Sequence, residues 1–369
     1  MPFNPGSIAI YSVGLLGGSI GAGLKASGYR GRIIGLSSET SIRTALSLGC
    51  IDEGHGYESL KDVVSRVDCI FLCSPINVIM QTLETLGGHP LPRGLVVTDV
   101  GSTKYAIASC AKKALPPTVD FIGGHPMAGS EKSGAAALDP FLFQNATYIL
   151  TPSQHCPIER CKEFSGFLEH FLGCRCIQMD PMDHDHAVAA MSHVPHILAV
   201  ALVNLAQKID GLHPGTLKLA AGGFRDMTRI ASSPFSLWSD ILSTNKEAIQ
   251  SVIDKYIALL EAMKSEVGRE SLRSDFDEAA RVRRGIPEGN KGYGHPLSNI
   301  IVQVKDHPGI IAELSNILAF EQINIKDIEV FKVREGDAGS IRIAFESPAV
   351  AQKAVLLLAD RGFTARERN

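Results

Sequence analysis

The sequence predicts an α/β protein in three parts: a doubly wound parallel sheet, an all-helical layer and a small βαββαβ unit. Three observations carry this. Short apolar strands alternate with helical stretches from Ser7 to Met179. From Asp180 to residue 290 the pattern is helical only. From Ser298 strands return in the order strand, helix, strand, strand, helix, strand. The expected parts are therefore 1–179, 180–290 and 298–369.

A chain of 369 residues is long for a single ordinary core, which fits several domains. Hydrophobic residues make up 45% and charged residues 20%, the balance of a water-soluble globular chain. A net charge of −3 argues against a general nucleic-acid or membrane binder. No run of eighteen purely apolar residues occurs, and the Met1–Gly6 start lacks the basic-then-apolar order of a signal peptide, so the expected location is the cytoplasm. The eight cysteines are scattered, several in predicted elements, and read as reduced core thiols. His155, Cys156, Cys161, Cys174 and Cys176 do not follow zinc-site spacing. Asp183-His184-Asp185-His186 reads as the polar first turn of a helix, so no metal is expected.

Taken in order, Ser7 to Tyr11 is a strand that runs into Ser12-Val13-Gly14-Leu15-Leu16-Gly17-Gly18-Ser19 and a helix through Ala26. Strand, glycine turn and helix are the dinucleotide-binding arrangement of the Rossmann type, with pyrophosphate on the helix N-terminus. Gly14 would admit the phosphates and Gly17 would let helix and strand pack closely; Ser12 replaces the first glycine of the fingerprint. Further strands are expected at Arg32–Leu36, Asp68–Cys73, Leu95–Asp99, Val119–Ile122, Ala146–Leu150 and Arg175–Met179. Helices are expected at Ser41–Leu48, Pro75–Leu86, Ser102–Lys113 and Pro157–Leu172. After the second strand, Ser37 stands where an acidic residue usually holds the ribose 2′-hydroxyl. Either Glu39 takes over, giving NAD, or the missing carboxylate admits the 2′-phosphate of NADP beside Arg43.

The stretch Gly123-Gly124-His125-Pro126-Met127-Ala128-Gly129-Ser130-Glu131-Lys132-Ser133-Gly134 follows a buried strand, where open α/β sheets present chemistry. His125, with an ordinary pKa of about 6.5, suits a general base; the plainer reading is a loop with a structural histidine. In the helical part, Met182 to Ile209 is apolar and carries Ser192-His193-Val194-Pro195-His196, where Pro195 predicts a kink. His193 and His196 lie on neighbouring helix positions, and the plainer reading of both is a satisfied buried histidine. Gly222 opens another helix on which Arg225 and Arg229, four apart, suit a substrate with two carboxylates; the alternative is ion pairing with Asp226 or Asp240. Trp238 is core or pocket wall. Lys246 to Ser265 continues as an amphipathic helix, and so much apolar helix in a small region predicts a dimer interface. Arg281 to Pro296 reads as a solvated linker. The last unit comprises strands Ser298–Val304, Asn324–Val333, Ser340–Phe345 and Phe363–Arg366, helices Ile310–Phe320 and Pro348–Arg361, and a hairpin turn at Gly336–Gly339.

On these residues the chain resembles the prephenate dehydrogenase family with a C-terminal ACT domain. The most specific parts are Gly124 to Gly134, Asp99-Val100-Gly101-Ser102-Thr103-Lys104, Ser192 to His196, Arg225-Asp226-Met227-Thr228-Arg229-Ile230-Ala231 and the effector-type loop Asp306-His307-Pro308-Gly309. The resemblance implies oxidative decarboxylation of prephenate to 4-hydroxyphenylpyruvate with hydride transfer to NAD, or to NADP. It implies that His125 draws off the hydroxyl proton and that Ser102 orients His125 and the nicotinamide. It further implies Arg229 on a substrate carboxylate, with His196, Arg225, His193 and Trp238 lining the pocket. The cofactor would meet Gly14, Leu15, Leu16, Gly17, Ser37 and Ser74. An amino acid, expected to be tyrosine, would be sensed at Asp306, His307, Pro308, Gly309, Ile310 and Asn324, and the enzyme would be a homodimer. Competing expectations are an arogenate dehydrogenase, a β-hydroxyacid dehydrogenase with a lysine base, and a non-catalytic sensor of nucleotide and amino acid.

Overall fold

A computed structural model of the chain describes residues 3–129, 134–286, 297–305, 307–330 and 339–368. Ser130 to Ser133, Asp306, the linker residues 287–296 and the expected strand end and turn within 331–338 lie outside the described residues. The chain divides into two compact units, Met1–Arg269 and Glu270–Asn369.

In the first unit, eight strands form one sheet among the described residues: β1 (Ser7–Tyr11), β2 (Arg32–Leu36), β3 (Glu53–His55), β4 (Cys69–Leu72), β5 (Val96–Asp99), β6 (Asp120–Pro126), β7 (Thr147–Pro152) and β8 (Arg175–Gln178). Their order is β3-β2-β1-β4-β5-β6-β7-β8. Pairing is parallel up to β6, antiparallel between β6 and β7, and parallel again between β7 and β8. The chain leaves β1 toward β2 on one side and returns to β4 on the other. That reversal opens a crevice at the carboxyl ends of β1 and β4, where such sheets bind ligands.

Apolar runs make these strands because both sheet faces are covered. Ile8 and Ile10 of β1 join Ile20, Leu24, Phe71, Phe164 and Phe167 on one face. Ala9, between them, joins Ile34, Ile70, Leu83, Val97 and Ile107 on the other, the period-two alternation of a strand. The helix Leu15–Ala26 packs so closely that a Cβ on Gly17 would meet the Ser12 carbonyl oxygen and one on Gly21 the Cys50 carbonyl oxygen.

Three expectations are corrected. The short edge strand β3 and the segment through the helix Leu60–Val64 were not expected. Strand β6 extends to Pro126, because β7 continues the ladder through Gly124↔Leu150, His125↔Ile149 and Pro126↔Tyr148. His125 is thus on a strand, not in a loop. The helix expected from Ser102 begins at Tyr105, which leaves Ser102 in the turn after β5.

In the helical layer, Pro181–Val188 and Val194–Leu212 are α-helical and Ala189–His193 between them is one π-helical turn. The kink expected from Pro195 is therefore a widened turn just before it, a common way to absorb a missing N–H. By length and composition, Pro181–Leu212 could cross a membrane, with a best-window hydropathy of 1.6. Its polar side chains instead bond to the sheet unit, as shown below.

In the second unit, β9 (Ser298–Val304), β10 (Asp327–Val330), β11 (Gly339–Phe345) and β12 (Thr364–Arg368) form an antiparallel sheet ordered β10-β11-β9-β12. The helices Ile310–Phe320 and Pro348–Asp360 cover it through Leu314, Leu318, Ala354 and Leu358, packed on Ile300, Val302 and Ile343. This is the expected βαββαβ order. Residues 281–285, read as linker, end the helix Arg273–Gly285, which side-chain pairs such as Arg281 to Glu278 support.

Gly21→Ala is expected to lower thermal stability by about 1–3 kcal/mol, because the added methyl meets backbone. Gly166→Ala, in the helix Ile158–Leu172 with open space at its Cβ, is expected to raise it by about 0.5–1 kcal/mol. Thermal melts of the two variants check the sign of each.

Candidate active site

The carboxyl edge of the sheet gathers the turn after β1, Ser37 after β2, Ser74 after β4, Gly101 and Ser102 after β5, and His125 at the end of β6. Gly14 caps the helix Leu15–Ala26 with no side-chain hydrogen bond, and a Cβ there would enter open space. A bare helix N-terminus of this kind fits the pyrophosphate of a dinucleotide. Ser12 adopts φ +76°, the conformation the missing glycine would supply. Its hydroxyl lies 3.3 Å from the Tyr57 hydroxyl, which is also 3.4 Å from Ser37 Oγ. Ser37 is buried, whereas Glu39 and Arg43 are exposed and paired at 3.8 Å.

His125 Nδ1 lies 2.8 Å from His184 Nε2, and His184 Nδ1 lies 2.7 Å from Asp185 Oδ1. Among the described residues, the ring partner of His125 is His184 and not Ser102, since Ser102 sits in the turn before the helix Tyr105–Ala114. Asp185 accepts the backbone N–H groups of Lys104 at 2.7 Å and Tyr105 at 3.0 Å, at the start of that helix. Lys104 is fully buried; its ammonium donates to Asp99 and, at 2.6 Å, to the Gly124 carbonyl oxygen beside His125. Asn245 Nδ2 donates to the Asp185 carbonyl oxygen at 2.8 Å and lies 3.2 Å from His193 Nδ1. His196 stacks on Trp238 at 3.8 Å, and His193 meets the edge of the same indole at 6.0 Å.

Two further ties dock the helical layer on the sheet edge. Asp240 accepts from the Asn77 backbone and side chain at 3.2 and 2.5 Å, and the Thr244 and Thr103 hydroxyls meet at 2.8 Å. Asp240 is thereby committed to Asn77. Among the described residues, neither Arg225 nor Arg229 makes an ion pair, and both are exposed. The α-helix carrying Arg225 ends at Thr228, so Arg229 stands in the following 3₁₀ turn, Arg229–Ser232, and the expected shared helix face does not continue to it.

The histidines share one electrostatic setting. Burial pushes the His125 pKa well below 6.5, with the charges of His184, Lys104 and His193 in the same direction. Burial lowers His193 to about 4, against the pull of Asp185. Burial also lowers His196, and it lowers Lys104 against the attraction of Asp99. The site therefore offers neutral imidazoles near neutral pH, one of them on the strand beside the nucleotide crevice. Asn245 and Tyr57 were not singled out from sequence; His184 and Asp185 were read only as the polar first turn of a helix, and Lys104 only as part of the Asp99–Lys104 motif, with no site role. The available signal was the i, i+1, i+4, i+5 spacing that puts His184 and Asp185 on one helix stripe with Val188 and Ala189; the structure buries that stripe although half of it is ionisable.

In the second unit, Gly309 takes φ +95° and caps the helix Ile310–Phe320; His307 is exposed, Ile310 buried and Asn324 exposed.

A sheet of this topology, with a bare helix end in its crevice and a neutral histidine one strand-edge away, defines a dinucleotide-dependent dehydrogenase. The family descriptions "Prephenate dehydrogenase, nucleotide-binding domain", "Prephenate dehydrogenase, dimerization domain" and "ACT domain" match residues 20–177, 180–280 and 298–356. The chain is 38% identical over 349 residues to a prephenate dehydrogenase of Bacillus subtilis, covering 92% of each chain. It is similar to the crystal structure of an A. aeolicus prephenate dehydrogenase in complex with hydroxyphenyl propionate and NAD+, with a TM-score of 0.68 and 32% identity over 75% of this chain and 96% of that one. It is also similar to a Synechocystis arogenate dehydrogenase structure, with a TM-score of 0.64 and 31% identity over 75% and 96%. The chain belongs to the prephenate dehydrogenase family.

His193 sets a pH dependence of stability. Its folded pKa of about 4 lies below the ordinary 6.5, so its contribution is present above 6.5 and is lost as pH falls toward 4. Stability is expected to fall by up to about 1.4 kcal/mol per pH unit in that window from this group. Denaturant titrations from pH 7 to 4 check it, with His193→Asn expected to flatten the slope.

Proposed function

We propose that the chain oxidises prephenate to 4-hydroxyphenylpyruvate with NAD as cofactor, that His125 is the base, and that tyrosine regulates it. The oxidation is the activity of the family, in tyrosine biosynthesis. The observation that carries the base assignment is His125 on β6: neutral, its Nδ1 engaged by His184, and its other nitrogen without a bond among the described residues. Bound in the crevice, the nicotinamide supplies a hydride acceptor. Gly14, Leu15, Leu16 and Gly17 would hold the pyrophosphate on the helix end, with Ser74 beside it and Ser37 toward the ribose.

His125 accepts the proton of the substrate hydroxyl as the carbon bearing it is oxidised. The bond to the ring carboxylate then breaks, its electron pair enters the ring, carbon dioxide leaves and the ring becomes aromatic. The ring oxygen, now phenolate, takes the proton back. Arg229 holds a substrate carboxylate, and Arg225, His193, His196 and Trp238 line the pocket. The two exposed guanidinium groups, free of ion pairs among the described residues, suit a dianion. NAD is favoured because Glu39, not a cation, opens the helix after β2 with the Arg43 guanidinium 3.8 Å from it, and because the A. aeolicus structure was determined with NAD+.

Exposed Leu205, Ile209, Leu212 and Met227 in the helical layer support a homodimer. The eight cysteines are free thiols, which supports the reducing cytoplasm. Tyrosine would bind around Asp306 to Ile310 and Asn324. The Synechocystis relative favours one second reading, arogenate as substrate.

Initial rates on prephenate and arogenate, each with NAD and NADP, test the reading; prephenate with NAD is expected to be fastest. His125→Ala is expected to lower kcat about 10²- to 10⁴-fold with little change in KM. Arg229→Ala is expected to raise the prephenate KM at least about 30-fold, the loss of about 2 kcal/mol of charge-assisted binding. Equal, mild effects from both would refute these roles. Saturating tyrosine is expected to slow prephenate turnover; unchanged rate and substrate affinity would remove the regulatory assignment.

A further inference from the structure

The hydrogen bonds behind His125 determine which of its nitrogens can act as a base. Asp185 has only acceptors to offer. Its Oδ1 takes the Lys104 N–H and its Oδ2 the Tyr105 N–H, both from the first turn of the helix Tyr105–Ala114. The contact between His184 Nδ1 and Asp185 Oδ1 at 2.7 Å therefore needs the proton on His184 Nδ1. A neutral His184 then presents a lone pair at Nε2. His125 Nδ1, 2.8 Å away, must carry a proton to fill it, and the lone pair of His125 moves to Nε2. His184 is fully buried, so water does not compete for either ring nitrogen.

We propose that His184 is a positioning residue for the dehydrogenase reaction. Anchored by Asp185, it fixes His125 in the tautomer whose Nε2 faces the substrate hydroxyl, and it takes up the charge that arrives. When the hydroxyl O–H bond breaks and its proton joins His125 Nε2, the His125 Nδ1 proton moves along the existing bond to His184 Nε2. The His184 Nδ1 proton stays on its bond to Asp185. One proton has entered and one positive charge has moved inward, to rest against a carboxylate. Return of the proton to the phenolate oxygen reverses both transfers. Nothing is oxidised or reduced within the relay. The cationic alternative resting place, His125 itself, lies in the field of the Lys104 ammonium, and among the described residues His193 and, behind His184, Asp185 are the other titratable groups near it.

This rests on His125 being the base, and the test separates the two. His184→Leu, which keeps the apolar volume but offers no acceptor, is expected to lower kcat about 10²-fold or more. The prephenate KM is expected to stay within about threefold, because no substrate contact is lost. His184→Gln, whose amide oxygen can reach the same position, is expected to recover at least about tenfold of that loss. Nitrogen NMR of ring-labelled wild-type enzyme should show His125 protonated at Nδ1 near neutral pH, and His184→Leu should lose that preference. If His125→Ala abolishes turnover while His184→Leu keeps kcat within about threefold, the relay is wrong and the base assignment stands. If His125→Ala leaves turnover intact, the base assignment falls and takes the relay with it. A wild-type spectrum with His125 protonated at Nε2 overturns the relay whether or not the variants fold.

Discussion

The Asp185 carboxylate is the point at which the helical layer, the sheet edge and the imidazoles are joined. It closes the first turn of the helix Tyr105–Ala114 by accepting two backbone N–H groups, and it also receives His184. Its own backbone carbonyl oxygen receives Asn245, from the junction of the helices Phe235–Thr244 and Lys246–Glu266. Hydrogen bonds to a charged acceptor contribute about 1.5–3 kcal/mol each, and leaving such a group unpaired in the interior costs more. The helix that starts at Lys104 also carries the ammonium that grips the Gly124 carbonyl oxygen, so the strand presenting His125 and the helix presenting His184 are set against each other by one short segment. Displacing Asp185 would therefore disturb the position of His125 and the seat of the layer together.

The π-helical turn Ala189–His193 belongs to the same logic. Without it, a regular helix through Pro195 would lose a backbone bond and gain a clash. Widening the turn by one residue rotates everything after it relative to everything before. His184 and Asp185 lie ahead of the turn and face the sheet; His193 and His196 lie at and after it and face Trp238. A single helical stretch thus serves two walls of one cleft, and its few polar members near the N-terminal end tie it to the sheet edge although its composition is apolar enough for a membrane.

Much of this was legible because alternation of strand and helix is written in periodicity, and the glycine turn, the His125 strand and Pro195 are local signals. The rest depends on distance in sequence. His184 and His125 are 59 residues apart, and nothing local tells a polar helix start from a buried contact with a distant strand. His125 was placed on the right edge but in the wrong conformation, since the extension of β6 comes from β7, which pairs with it antiparallel. The edge strand β3 is three residues with little apolar character, and Tyr57, which bridges Ser12 and Ser37, follows from it. Only the end of the helix Arg273–Gly285 was read as linker: its last residues, Arg281-Val282-Arg283-Arg284-Gly285, are basic and end in glycine, and the Arg281–Glu278 pairing that ties them to the helix is not visible in composition. The pairing of Arg225 or Arg229 with Asp240 failed for the converse reason, as the carboxylate had a better partner at the N-terminus of the helix Ile76–Gly87.

The placement of charge around His125 answers a difficulty that the substrate itself creates. A dianion approaching a histidine favours imidazolium, and a base already protonated cannot accept. Burial and the neighbouring Lys104 ammonium press the other way, holding the free enzyme's His125 well below the ordinary range before any anion arrives. Lys104 supplies that effect at fixed distance because it is itself buried and tethered to Asp99 and Gly124, and it has no freedom to reach out and pair with the substrate. Arg225 and Arg229, the arginines proposed for the carboxylates, are exposed on the helical layer. On the proposed roles, separating the cation that holds the His125 pKa down from the arginines would let one cleft attract two negative charges and still leave its imidazole free to take a proton.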